Sequence, residues 1–153
     1  ATVQQVHDYW RARCAPDGRP PRRDDLDPLL DIPQAAPNLT LLDVERGADG
    51  RPVDYFFRLV GTSVVAFEGD CTGRRLSEIL IDRDLYADAW AQYADATAGR
   101  LWIRVETLAW QDRGHLTYSS LFLPLRREGE AVEMLLGVHV HEGVKDGRPP
   151  VAL

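Results

Sequence analysis

Three runs of β-prone residues, 102–110, 115–125 and 132–141, follow one another with only Asp112-Arg113-Gly114 and Arg127-Glu128-Gly129-Glu130 as turns between them, and this predicts an antiparallel meander. Two further strands are expected upstream at 39–45 and 55–60, joined as a hairpin by the Gly, Asp and Pro residues from Gly47 to Pro52. Between hairpin and meander the pattern turns helical. Thr62 is expected to cap a short helix through Phe67 that Gly69 ends. A longer helix is expected over 84–98, where Leu85, Ala89, Tyr93 and Ala96 form one stripe, Trp90 lies beside it and Gly99 follows. At the front, Thr2-Val3-Gln4-Gln5 reads as a capping box for an amphipathic helix over 3–14, with Val3, Val6, Trp10 and Cys14 on one side until Pro16 and Gly18 stop it. Residues 16–37 are rich in Pro, Asp and Arg, which favours extended and turn backbone and reads as a connecting arm. The order is helix, arm, two strands, helices, three strands, with no internal repeat and no strand–helix alternation of the parallel kind. The fold class is therefore α+β with a five-stranded antiparallel sheet, divided into helix and arm (1–38), core (39–142) and tail (143–153).

A chain of 153 residues fits one domain, so one fold and one main site are sought. Its formal charge of −6, from 18 basic and 24 acidic residues, argues against a binder of nucleic-acid phosphates, which needs a basic face. Cys14 and Cys71 are far apart and lack metal-site spacing, so neither a disulfide framework nor structural zinc is expected, and a reducing cytoplasm fits best. No run approaches the roughly 18 apolar residues of a membrane span, and the first residues lack the pattern of a secretion signal, so the segment reads as soluble and mature.

Two strands, a helical crossover and a three-stranded meander is the order of the PAS fold, which this chain resembles. Gly73-Arg74-Arg75-Leu76 is similar to the Gly-Arg turn that PAS domains place inside the crossover. Phe122-Leu123-Pro124-Leu125-Arg126 and Gly137-Val138-His139-Val140 resemble the last hairpin of flavin-binding LOV-type members. Trp10, Arg23, Asp27-Pro28, Ile32-Pro33, Asp43-Val44-Glu45, Arg58-Leu59-Val60-Gly61-Thr62 and Thr72-Gly73-Arg74 resemble the landmarks of a bacterial group of stand-alone PAS proteins. The resemblance also implies what this chain does not do. Leu76 stands where a LOV domain has its reactive Cys, His139 where it has a Gln and Tyr118 where it has an Asn, while Cys71 precedes the turn, so flavin photochemistry is not expected. Haem is not expected either, since residues 62–98 contain no His of the kind that PAS haem sensors use as axial ligand.

The same resemblance assigns sides to the sheet. With His139 facing the crossover, strand alternation places Leu135, Gly137 and His141 on its face, with Tyr118, Ser120 and Phe122 across the ladder and Glu106, Leu108 and Trp110 beyond. Leu108, Leu135 and Phe122 are expected to be core. Tyr118, His139, Ser120, Trp110 and Glu106, with Trp90 and Tyr93 from the long helix, are the candidate ligand-binding groups, because a few oriented polar side chains in an apolar cavity make a binding site. Arg58 is a further candidate: either it pairs with Asp43 or Glu45 on the neighbouring strand, or it binds an anion. His139, His141 and His115 could approach one another across the hairpin, but without a Cys or carboxylate signature no metal site is expected.

The reading is a sensory or signalling module for a small molecule or a protein partner, without catalysis. Alternatives are a cavity-bearing α+β enzyme that performs acid–base chemistry on a hydrophobic small molecule, and a scaffold acting through protein contacts alone. Such enzymes usually open with longer helices than the one here. The sequence contains no G-x-S-x-G, H-E-x-x-H, P-loop or G-x-G-x-x-G. Strand parity adds a homodimer expectation: if His139 faces the crossover, then Met134, Leu136, Val138 and Val140 face away and need cover from the Val3/Val6/Trp10/Cys14 stripe, from a second copy, or from both.

Overall fold

The computed structural model describes residues 2–79, 83–109, 115–143 and 151–152. Five strands form one antiparallel path in the order β2-β1-β5-β4-β3: β1 (Leu39–Arg46), β2 (Pro52–Val60), β3 (Arg104–Ala109), β4 (His115–Arg126) and β5 (Val132–Gly143). A two-residue strand, β6 (Val151–Ala152), pairs with the end of β5 inside what the sequence had as tail. The helices are α1 (Thr2–Arg11), α2 (Pro28–Asp31), α3 (Thr62–Glu68) and α4 (Arg83–Thr97). Gly61, with Thr62 behind it, is the N-cap of α3: the chain turns so tightly there that a Cβ would strike the backbone of Pro37.

Central strands β4 and β5 are apolar on successive residues because both faces are covered. On the outer face Leu121, Leu123, Leu125, Met134, Leu136 and Val138 are buried against Val6, Tyr9 and Trp10 of α1 and against Leu26, Ile32 and Ala35 of the arm. The cover that strand parity demands is thus supplied by the chain itself. On the crossover face Leu42, Tyr55, Phe57, Phe122 and Leu135 pack on Leu76, Ala89, Tyr93 and Ala96. His139 and His141 lie on this second face, as the alternation requires.

Polar anchors fix the arm. The Trp10 indole N–H donates to the Pro124 carbonyl at 2.9 Å, and Tyr9 bridges two arm residues, donating to Asp31 at 2.7 Å and accepting from the Asp27 N–H at 2.9 Å. Arg126 donates from its backbone N–H to Pro21 and from Nε to Pro20, laying the arm along the end of β4. Pro124 is tolerated within β4 because β3 reaches along β4 only as far as Ser120, so no ladder partner is lost there. The free edge of β2 is closed by the Gly73–Arg75 turn, where the Gly73 N–H donates to Phe57 at 2.8 Å and the Phe57 N–H to Arg74 at 2.9 Å.

Strict alternation over 55–60 would put Val60 on the face of Phe56 and Arg58, and Leu59 with Tyr55 and Phe57, and the structure departs from it. The β1–β2 register shifts between Leu41 and Leu42, which face Leu59 and Phe57, so Arg58 is the extra residue of a bulge. Beyond it the alternation inverts: Val60 packs on the crossover side with Tyr55 and Phe57, while Leu59 is exposed.

Candidate ligand cavity

Between the sheet and the crossover lies a cavity of about 260 Å³. Phe57 and Val60 come from β2, Val64, Phe67 and Glu68 from α3, Ala89 and Tyr93 from α4, Arg104 and Glu106 from β3, and Tyr118 and His141 from the meander's last two strands. Strand register explains the grouping: Glu106 faces Tyr118 and Tyr118 faces His141 across successive ladders, so three strands present one polar row. Arg104, Glu68 and Thr40 add further polar groups, and the rest of the wall is mostly apolar.

His139 sits behind that row, within the core. Its Nε2 is 2.9 Å from Thr40 Oγ1 and its Nδ1 2.8 Å from the Tyr118 hydroxyl, and its carbonyl accepts from Asn38 at 2.9 Å. Burial, assisted by His141 and Arg104 and opposed by Glu68, lowers its pKa to about 4, so the ring is neutral at pH 7 with one nitrogen donating and the other accepting. Gly137 makes room for it: a Cβ there would collide with Thr40, Phe122 and the imidazole. Burial also raises the pKa of Tyr118 far above the ordinary phenol range, with Glu68 pushing the same way, so this hydroxyl keeps its proton.

His141 is different. Its ring stacks on Phe67 at 4.5 Å, and its Nε2 lies 3.2 Å from Glu68 Oε1. A carboxylate only accepts, so Nε2 carries the proton. Burial works to raise the Glu68 pKa, but the His141 hydrogen bond, with the Arg104 charge acting the same way, outweighs it and holds the carboxyl below its usual value. Nδ1 of His141 is buried without a hydrogen-bond partner. So are Nε and Nη1 of Arg104, whose guanidinium lies 5.3 Å from the Tyr118 ring centre and 3.6 Å from Glu106 Oε1, outside hydrogen-bond range.

Of the residues expected from sequence to bind, Tyr118, Glu106 and Tyr93 line this cavity. His139 and Ser120 are not among its lining residues and are held by hydrogen bonds within the core. Ser120 donates to Gln92 Oε1 at 3.0 Å while Gln92 Nε2 donates back to the Ser120 carbonyl at 2.9 Å, pinning α4 to β4. Trp90 packs edge-on against Tyr55 at 5.2 Å and is not among the cavity's lining residues. Arg58 is exposed and paired with Asp43 at 2.6 Å, the structural alternative expected for it, while Glu45 takes Arg75 through both carboxylate oxygens. Trp110 lies outside the described residues. Among the described residues no three His, Cys, Asp or Glu converge as metal ligands.

Arg104, Glu68 and Phe67 were missed. Arg104 was open to detection, since it stands two residues before Glu106 and so shares its face. Glu68 and Phe67 come from another element, and nothing in their own segment points to His141.

A family profile described as "PAS domain" matches residues 1–140, and the chain belongs to that family. No curated protein and no solved structure matches. Among the described residues no helix is long and apolar enough to cross a membrane.

Proposed function

We propose that this chain is a sensory module that takes a small molecule into the crossover cavity and performs no chemistry on it. PAS membership supports the sensory part, and the carrying observation for the ligand is the cavity itself, walled by both the sheet and the helices that cross it. The Tyr118 hydroxyl in its wall faces the imidazole of the core residue His139, whose ring nitrogens are both engaged, so this pair is poorly placed for turnover. We further place the protein in the cytoplasm, within the bacterial stand-alone group, and expect a homodimer.

Thermal shift against a metabolite collection, with native mass spectrometry of the purified chain, tests the ligand reading. A binder should raise the melting temperature by mass action, and Ala89→Phe, which fills the cavity from α4, should abolish that rise. The rise surviving Ala89→Phe would place the site elsewhere. Turnover of a bound compound that Tyr118→Phe removes would favour the enzyme alternative.

A further inference from the structure

The cavity's unmet hydrogen-bonding atoms specify what would fill it. Two kinds are present: donors on Arg104 Nε and Nη1, and an acceptor on His141 Nδ1, whose proton is committed to Nε2 by Glu68. Leaving such groups buried and unpaired costs free energy that a guest can recover. Neither side chain is freely solvated, His141 being 2% and Arg104 15% exposed. Both line the cavity, and the His141 ring is held in place there by Glu68 and by its stacking on Phe67.

Charge then narrows the choice. The Arg104 guanidinium is already faced by Glu106, and Glu68 adds a second carboxylate to the same wall. An anionic guest would meet two negative groups and only one guanidinium, itself already accompanied. A cation would leave the Arg104 donors unmet. The remaining lining, with Phe57, Val64, Phe67, Leu76 and Leu116, is apolar and suits a flat ring.

Resting on the ligand-binding reading above, we propose that the cavity takes an uncharged planar amide or lactam, with its carbonyl oxygen on Arg104, its N–H on Nδ1 of His141 and its ring between the apolar walls. The volume of about 260 Å³ limits the guest to one or two fused rings.

Calorimetry on the intact chain tests this with three probes: isoquinolone, its N-methyl derivative, which retains the acceptor but not the donor, and naphthoate, an anion of similar size. Isoquinolone should bind, and the other two should bind at least about tenfold more weakly, the loss of one charge-assisted or buried hydrogen bond. Arg104→Met and His141→Phe should each weaken isoquinolone by at least about tenfold. If Arg104→Met fails to fold, Arg104→Lys, which keeps the charge but not the planar fork, should show the same direction of change. Equal or tighter binding of naphthoate or of the methylated lactam would overturn the proposal, as would no binding by any probe. A compound found by native mass spectrometry would in that case leave the sensory reading standing while the ligand class fell.

Discussion

His139 is neutral because burial holds its pKa near 4, and that makes it an acid-sensitive point of the fold. In the unfolded chain an imidazole titrates at its ordinary value near 6.5, so between 6.5 and 4 the unfolded state binds a proton that the native state refuses. Stability is therefore full above pH 6.5 and falls as the pH drops towards 4, by about 3 kcal/mol from this group alone. Urea melts of the wild type and of His139→Gln across this window should show a shallower decline in the variant, and parallel curves would refute the assignment. Gly137 belongs to the same construction. With Thr40, Phe122 and the imidazole closing on the space a methyl would need, Gly137→Ala should lower stability by about 1–3 kcal/mol, read from the denaturation midpoint.

Among the elements, α1 behaves as a core element: Val6, Tyr9 and Trp10 are buried and the indole is tied to Pro124. Trp10→Phe leaves that carbonyl without its donor and thins the packing, and should cost about 1–3 kcal/mol in equilibrium unfolding. A change under half a kcal/mol would show that the helix is only loosely seated. The elements themselves were largely legible, because β-prone runs bounded by turn residues over β3–β5 and the apolar stripe of α4 are local patterns. What failed has a common cause. A bulge at Arg58 shifts parity without any Gly or Pro to announce it, so Leu59 and Val60 exchanged faces. Parity also says which face a residue occupies but not how deep it lies: His139 and Ser120 were rightly put on the cavity side, yet their hydrogen bonds to Thr40, Tyr118 and Gln92 hold them within the core. Likewise the opposition of Glu68 to His141 arises only once α3 is folded over the sheet.

For the whole molecule, the question of self-association changes once α1 and the arm occupy the outer face. What adjoins the covered area is Leu29 and Leu59, exposed by 67% and 45% at an apolar hollow lined also by Leu26, Leu39 and Leu125. If the chain dimerises, this patch is where a second copy gains most, and sedimentation velocity should show a dimer that Leu29→Asp dissociates without loss of fold. A monomer at high concentration would end the dimer expectation. The outer layer has a further consequence for synthesis. Val6 and Trp10 are made well before Met134, Leu136 and Val138, on which their layer rests. As the chain leaves the ribosome, α1 must wait with its apolar side uncovered until the β4–β5 hairpin emerges, and it is in that interval, rather than after folding, that this surface is most open to aggregation.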